Sequence, residues 1–400
     1  ACHECGHIYD SPLCAEGQRL SCKYCGGQLQ ARYKNWEAKT AAFTLAGVVL
    51  FVLSNSFPFI GLDVAGQIQS SNLLSGVRAL ITREEFLLAA LVFVTIFLFP
   101  LVELCALCYI LLLRVVAIKP VGMAKVLRLL HMTRPWSMLE IFMLGVLVAS
   151  VKLVGMAELV IGPGLYAFTG LVLVLIASHI RLSRQDLWDW LEHDNYYASD
   201  EQEKMFACHC CNALIGESLL AQNHHCPRCD GVLHERMPAS VQKTFALLTA
   251  AIILYFPANL LPMMTTTHLG STTTDTIFSG VVHLAEIGDW GVATVVFVAS
   301  IVVPIAKILI MAYLLWVVQI KASGDPKQQA QLFRVTEFVG RWSMIDVFVV
   351  TLLVALVQFG LLANIEPGAA ALCFASVVVL TMLAAETFDP KLIWDAHHER

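Results

Sequence analysis

The chain has 400 residues, of which 58% are hydrophobic and 14% are charged, and its formal net charge is −5. Its mean hydropathy is +0.70, whereas an ordinary soluble domain carries about 25% charged residues. These values exclude a soluble globular protein and indicate a membrane protein, and the small net charge provides no basic field for binding nucleic acid.

Pairs of Cys-x-x-Cys motifs precede the apolar segments of each half of the chain. Four thiolates at this spacing can converge on one ion and leave no coordination position open for a substrate. We therefore predict two structural zinc ribbons, at residues 1–34 and 205–236, each holding one Zn ion. Iron in a rubredoxin-like site uses the same spacing and stays an alternative. The eight predicted ligands are Cys2, Cys5, Cys22 and Cys25, then Cys208, Cys211, Cys226 and Cys229.

Zinc ribbons in many proteins bind nucleic acid, but these two lack a dense Lys/Arg face. They are also tethered to apolar segments, so we expect no nucleic-acid partner. Disulfides are not expected between these cysteines in a reducing cytoplasm.

Eight apolar segments are long enough to cross a bilayer, whose core of about 30 Å requires about 20 helical residues. The predicted spans cover residues 41–60, 86–113, 138–158 and 164–181, then 243–264, 291–318, 344–364 and 368–386. Tight turns at 162–164 and 366–368, each a Pro-Gly sequence, separate the last two spans of each half. The predicted transmembrane modules are residues 35–195 and 237–400.

The second half repeats the first at an offset of 204 to 206 residues. For example, Asn55 and Pro58 recur as Asn259 and Pro262, and "RPWSMLE" at 134–140 recurs as "RWSMID" at 341–346. Each half holds an even number of spans, so the two halves are parallel repeats about an axis along the membrane normal. The expected fold is an all-α polytopic membrane protein with two four-helix modules, each preceded by a zinc ribbon.

Basic residues are concentrated in the loops between the second and third spans of each half. The positive-inside rule therefore places both termini and the central linker in the cytoplasm. These basic residues are Arg114, Lys119, Lys125, Arg128 and Arg134, then Lys321, Lys327, Arg334 and Arg341.

Several polar residues lie inside the predicted spans, where a charge costs at least ~2.5 kcal/mol at the bilayer centre. In the second half they are Lys307, Asp346, Thr381 and Glu386, and we expect an ion pair between Lys307 and Asp346 with the other two nearby. Pro304 leaves the carbonyl of the residue four positions earlier without a helical partner, which predicts a kink. The alternative for residues at helix ends is a side chain that extends to water.

The first half is less regular. Glu140 corresponds to Asp346, Lys152 lies within the third span, and Glu103 occupies the position of Lys307, with His179 near the end of the fourth span. This reversal of charge between Glu103 and Lys307 indicates that the two halves have different functions.

Asparagine and proline occur together at the ends of the first and fifth spans. They are Asn55 and Pro58 in "SNSFPF", and Asn259 and Pro262 in "PANLLPM". We interpret the prolines as helix ends and the asparagines as partners of freed backbone groups. A lateral opening towards lipid is the alternative interpretation.

These motifs, together with the ribbons and the closing "FDPKLIWDAH", resemble the paraquat-inducible protein A family over essentially the whole chain. The resemblance implies an integral protein of the Gram-negative inner membrane whose transmembrane modules have a tetraspanin-like architecture. It further implies a separate MCE-domain partner that forms a periplasmic tunnel for lipid. This chain contains no MCE domain, so that partner would be another polypeptide.

The resulting hypothesis is transport of phospholipid between the inner membrane and such a tunnel, without enzymatic activity. The polar residues would hold an ion-paired core or relay protons, since the membrane potential supplies about 2.3 kcal/mol per charge per 100 mV. No Walker A sequence occurs in the chain. Two alternatives stay open: a scaffold that only anchors the partner, and a membrane redox protein, suggested by Cys105 and Cys108 within a span.

Overall fold

A computed structural model of the chain describes residues 2–9, 14, 17–31, 33, 35–64, 67–116, 122–154, 158–182, 187–188, 196–197, 205–222, 224–268, 271–286, 288, 290–321, 324–357 and 363–398. Within these residues, eight helical segments are long and apolar enough to cross a membrane. The predicted number of spans is therefore confirmed. The segments are Trp36–Ser56, Phe86–Val116, Met123–Val151, Pro163–Arg181, Ser240–Leu260, Trp290–Ile320, Pro326–Leu356 and Ala369–Thr387.

The first half begins with a hairpin in its ribbon, followed by helices and a small sheet. The ribbon strands are β1 (Arg19–Ser21) and β2 (Gln28–Ala31). The next elements are α1 (Trp36–Ser56), β3 (Ile60–Val64), β4 (Gln67–Ser71), α2 (Ser75–Thr82), α3 (Phe86–Phe93), a π-helical turn (Val94–Leu98), α4 (Phe99–Val116), α5 (Met123–Thr133), a 3-10 turn (Arg134–Trp136), α6 (Leu139–Val154), β5 (Glu158–Ile161) and α7 (Pro163–Arg181).

After its ribbon, the described part of the second half has the same order of elements as the first half, with one further helix at its end. The ribbon contains β6 (Tyr196–Tyr197), β7 (Met205–Ala207), β8 (Leu214–Gly216) and α8 (Glu217–Gln222). It is followed by α9 (Ser240–Leu260), β9 (Met264–His268), β10 (Ser271–Asp275), α10 (Ile277–Glu286), α11 (Trp290–Phe297), a π-helical turn (Val298–Val302), α12 (Val303–Ile320), α13 (Pro326–Gly340), a 3-10 turn (Arg341–Met344), α14 (Ile345–Leu356), β11 (Ala363–Pro367), α15 (Ala369–Thr387) and α16 (Lys391–His398). The limits of the predicted domains stay predictions.

The expectation of an all-α fold needs a correction, because each module carries a three-stranded antiparallel sheet. The strand orders are β4-β3-β5 and β10-β9-β11. The predicted first and fifth spans, 41–60 and 243–264, ran into β3 and β9, and the third and seventh, 138–158 and 344–364, ran into β5 and β11. Apolar strand residues next to a helix end cannot be told from more helix by hydropathy alone. We call this end of the molecule the hairpin side and the other end the ribbon side.

The long second span of each module changes its hydrogen bonding at a proline. A π-helical turn lies immediately before α4 and α12, whose second residues are Pro100 and Pro304. The N–H of Val303 donates to the carbonyl of Val298, five residues earlier. Proline has no N–H, so the helix accommodates it by shifting the hydrogen-bond register over one turn.

The two modules meet at their third spans. All twelve residues of α14 are buried, as expected for a helix that is apolar on every side. Its Phe348 ring lies 5.5 Å from that of Phe142 on α6. Gly145 and Gly76 allow this close approach, because a Cβ would lie 3.0 Å from Phe348 Cβ or 2.7 Å from Thr351 Cγ2. The centre of the protein is thus an interface between the repeats.

The fourth span of each module begins directly against the chain that leaves the first. Gly164 donates its N–H to the carbonyl of Pro58 at 2.9 Å, and Gly368 donates to that of Met263 at 2.9 Å. A Cβ on Gly162 or Gly368 would overlap the carbonyl oxygen of Pro58 or Pro262. Both colliding groups are backbone, so neither can rotate away.

We expect Gly368→Ala to destabilise the protein by about 1–3 kcal/mol, the usual cost of overpacking. The matched control is Gly291→Ala, because a Cβ there has no heavy atom within 4 Å. Thermal unfolding in detergent, followed by gel filtration, measures the difference. Equal melting temperatures for the two variants would contradict the packing described here.

Candidate functional site

The eight predicted metal ligands form two clusters. In each cluster the four Sγ atoms lie within 4.8 Å of one another. In the first, Cys2 Sγ is 3.4 Å from Cys25 Sγ and Cys5 Sγ is 3.6 Å from Cys22 Sγ. Four sulfurs placed about 2.3 Å from a tetrahedral ion would be about 3.8 Å apart. Both sets of cysteines therefore fit a metal ion.

The turns that present the thiols follow from local sequence. Gly6 and Gly26, which follow the second cysteine of each motif in the first ribbon, have φ of 73° and 74°. In the second ribbon the same positions are Asn212 and Asp230, with φ of 59° and 56°. Gly, Asn and Asp are the residues that adopt this left-handed conformation most readily.

The pKa is lowered for Cys2 and Cys22 in the first cluster and for Cys208 in the second, which favours the thiolate, the form that binds metal. Hydrogen bonding from the Cys5 thiol is the largest effect that lowers the pKa of Cys2, to about 4. Hydrogen bonds from the Cys211, Cys226 and Cys229 thiols hold the pKa of Cys208 far below its usual range. Each cluster therefore contains a thiolate donor that a metal cation can bind.

Each ribbon packs against the module of the other half, an exchange that sequence reasoning missed. The buried cysteines of the first ribbon join an apolar cluster with Phe333, Phe388 and Trp394 of the second half. Those of the second ribbon join a cluster with Trp36 and Leu127 of the first half. No local signal indicates which module a ribbon will contact.

The first ribbon is held to the second module by a charged contact. Arg334 of α13 donates from Nε to both carboxylate oxygens of Glu4 at 2.8 Å, and from Nη2 to the carbonyl of Cys25 at 2.6 Å. The two ribbons also touch, because His3 Nε2 lies 3.1 Å from the carbonyl oxygen of His209. Burial, with the nearby charges of Lys391 and His3, lowers the pKa of His209 to about 4.

We expect Glu4→Gln to loosen the first ribbon, because it replaces charge-assisted hydrogen bonds worth about 1.5–3 kcal/mol. Limited proteolysis of the purified protein should then cleave the first ribbon faster than in the parent. Glu217→Gln, at an exposed position of the second ribbon, is the control. Unchanged cleavage rates would show that the apolar cluster alone holds the ribbon.

The structure does not join Lys307 to Asp346 in an ion pair. Both side chains are buried, with 3% and 8% exposure, but the charges that Lys307 faces among the described residues are Glu386 and Glu337. The Lys307 ammonium packs over Gly340, whose Cβ, if present, would be 2.5 Å from Nζ.

The other polar residues of the second half lie as follows. Thr381 is buried and donates to the carbonyl of Val378 in its own helix at 3.0 Å. Glu386 is exposed, and the side chain of Trp136 in the first module lies near its carboxylate. Glu386 therefore links the two modules on the ribbon side.

The first half uses the corresponding position differently. Glu103, the repeat counterpart of Lys307, is 2% exposed and forms a hydrogen bond with Nε2 of His179. Arg134 donates to the carbonyl of His179 at 3.2 Å. Glu140 is exposed, and the side chain of Lys152 lies outside the described residues. Each module thus buries one ionisable group at this site, with opposite sign.

The asparagines and prolines at the helix ends make structural contacts. Asn55 donates from Nδ2 to the carbonyl of Phe51 at 2.8 Å, and Asn259 donates to that of Tyr255 at 2.9 Å. Pro58 and Pro262 lie just beyond the ends of α1 and α9. Their carbonyls accept hydrogen bonds from the start of the fourth span, so both motifs join the first and fourth spans of their modules.

Lys307 and Asp346 of the second module line two different cavities. The ribbon-side chamber, of about 480 Å³, is lined by Arg134, Lys307, Arg334, Glu337, Arg341 and Glu386, among others. The hairpin-side cleft, of about 40 Å³, is lined by Asp346 and by apolar residues that include Met263, Ile277, Val296 and Leu353. Ligand pockets have volumes of about 300–1,000 Å³, so the cleft is too small for a lipid in this conformation.

Comparison with known proteins finds one matching family and several full-length relatives. The profile of the family described as paraquat-inducible protein A matches residues 38–192 and 241–398. The chain is 35% identical to the intermembrane transport protein PqiA of Escherichia coli K12, over 100% of this chain and 96% of the relative. It is 30% identical to the lipophilic envelope-spanning tunnel protein A of the same organism, over 99% and 91%.

A third relative comes from another organism. The chain is 32% identical to a probable intermembrane transport protein of Haemophilus influenzae, over 98% of this chain and 95% of the relative. No solved structure gives a significant match.

Proposed function

The chain belongs to the paraquat-inducible protein A family, and from this premise we propose that it moves phospholipid between the inner membrane of a Gram-negative cell and a periplasmic tunnel. The observation that carries the proposal is similarity along the whole chain to relatives named for intermembrane transport and for an envelope-spanning tunnel. The tunnel itself would be a separate MCE-domain protein. On this proposal the protein is a transporter component and not an enzyme.

The finer features of the proposal concern orientation, metal and fold. The ribbon side, which carries the basic loops, faces the cytoplasm, and the hairpin side faces the periplasm. Zinc is the proposed ion in both ribbons, because four thiolates in a closed tetrahedral set are its common structural site. A tetraspanin-like arrangement of each four-helix module stays part of the proposal.

The buried charges fit a transport role in two ways. Asp346 places a carboxyl group in an otherwise mostly apolar cleft on the hairpin side. Lys307 and its two glutamates lie in a separate chamber on the ribbon side. Burying an ionisable group in a membrane span costs free energy, and such groups by default mark substrate or proton pathways. We propose that they control the opening of the cleft to a lipid, by charge pairing or by proton transfer.

In-cell photocrosslinking tests this function. A photoreactive amino acid at Ile277 or Leu353 in the cleft should capture radiolabelled phospholipid, and Asp346→Asn should abolish that capture in a protein that still folds. Leu309, which is 63% exposed on the outside of α12, is the control for contact with bulk lipid. Equal labelling at all three positions, unchanged by Asp346→Asn, would reject the transport route.

If the crosslinking rejects the transport route, the second candidate function is a scaffold that only anchors the periplasmic partner. A redox role receives less support, since Cys105 and Cys108 are both exposed on α4 and line neither the chamber nor the cleft. A purified protein that contains bound flavin, haem or iron, seen by its visible absorption, would support the redox alternative.

A further inference from the structure

We propose that the ribbon-side chamber is a binding site for the phosphate-bearing headgroup of a phospholipid. This inference deepens the proposed function and rests on it, because it assigns a lipid to a second location, distinct from the hairpin-side cleft. The chamber has about 480 Å³, a volume in the range of small-ligand pockets.

The first argument is charge. Four cations, Arg134, Lys307, Arg334 and Arg341, line the chamber against two acids, Glu337 and Glu386. Arg334 is engaged by Glu4 of the first ribbon, yet the other three cations still outnumber the acids. Phosphate is one of the anions that such arginine and lysine clusters recognise through charge-assisted hydrogen bonds.

The second argument is the state of Lys307. Its side chain is 3% exposed, and its ammonium makes no hydrogen bond or close ion pair with any residue that the structure describes. Glu386 and Glu337 act on it only at longer range. A buried ammonium has three donors that need acceptors. Since Lys307 lines the chamber, an anion inside the chamber would supply them.

The third argument is the placement of two arginines where the modules meet. Arg134 of the first module and Arg341 of the second both line the chamber. They act on each other as like charges, while Glu103 of the first module has the larger, opposite effect on Arg134. Like charges at one site are unfavourable unless an opposite charge lies between them. A phosphate group between the two modules would remove the repulsion and add hydrogen bonds to both guanidinium groups.

The surface around the chamber favours a lipid over a soluble anion. Phe338, which is 60% exposed, lines the chamber, and its ring lies 6.5 Å from that of Trp342, also exposed. Leu332 and Val335 continue the exposed apolar face of α13. Aromatic residues at the bilayer interface lie at the level of the headgroups. The phosphate would thus enter the chamber while the acyl chains stay against this helix.

Binding to the purified full-length protein in detergent tests the site. The probes are phosphatidylglycerol and a diacylglycerol with the same acyl chains, measured by native mass spectrometry. We expect Lys307→Gln and Arg341→Gln each to weaken phosphatidylglycerol binding about tenfold to a hundredfold, with no change for diacylglycerol. Lys243→Gln, which removes an exposed cation of α9 outside the chamber, should bind like the parent.

Two results would overturn the proposal. Unchanged phosphatidylglycerol binding in Arg341→Gln, whose half-buried side chain makes misfolding a small risk, would exclude a headgroup site. Complete displacement of the lipid by inorganic phosphate at equal concentration would indicate a site for a free anion instead. Binding in detergent requires no transport, so failure of the cleft crosslinks and failure of this site are distinguishable.

Discussion

Replacing Cys226 with serine should remove one of two metal ions per chain and unfold the second ribbon. Serine cannot supply a thiolate, and a structural zinc site contributes about 10–16 kcal/mol of binding free energy at pH 7. A domain of this size buries too little surface to fold without its metal. The loss would extend to the first module, because Cys226 and Cys229 belong to the apolar cluster around Trp36 and Leu127.

The matched control for this prediction is Cys210→Ser. Cys210 is the neighbour of a predicted ligand, but it is not one of the four clustered cysteines. Elemental analysis of the purified protein should find two metal ions per chain in this control and one in Cys226→Ser. The same measurement distinguishes zinc from iron. Two retained ions in Cys226→Ser would refute the four-cysteine site.

Replacing Phe348 with alanine should destabilise the protein by about 3–5 kcal/mol, the usual cost of deleting a buried aromatic ring. Phe348 is fully buried in the central helix α14, where it contacts Phe142 and the backbone at Gly145. In a membrane, packing between helices replaces the hydrophobic effect as the main source of association. The cavity would therefore weaken the contact between the two modules.

The control is Phe245→Ala, because Phe245 is 58% exposed on α9 and its ring faces the surroundings of the protein. Resistance to unfolding in sodium dodecyl sulfate, followed by intrinsic tryptophan fluorescence, measures both variants. We expect Phe245→Ala to unfold near the parent and Phe348→Ala at a clearly lower detergent fraction. The central interface would be refuted if both variants unfolded together.

The two repeats share their order of helices and strands but differ in their buried charges. Glu103 and Lys307 occupy the same position of the two repeats and are both buried. Glu103 is paired with His179 of its own module, while Lys307 lines a chamber to which both modules contribute. The two halves therefore share the same arrangement of helices. The difference between Glu103 and Lys307 at one equivalent position gives them different electrostatic environments.

The sequence by itself determined the features that depend on neighbouring residues. Eight apolar runs predicted eight spans, since span length is set by the thickness of the bilayer. The spacing of the cysteines predicted both clusters, because each knuckle is a local turn. The offset of about 204 residues predicted the common order of elements, and Pro304 marked where one of the helices shifts its hydrogen bonding.

Only the tertiary structure decided how distant segments meet. In the folded chain each ribbon packs against the module of the other half, through contacts such as that of Glu4 with Arg334. Lys307 and Asp346 line separate cavities. The residues at the ends of four predicted spans form β-strands. Helix position along the chain does not specify which side of a helix faces which neighbour. Contacts between residues hundreds of positions apart depend on the packing of the whole set of helices, for which no local pattern exists.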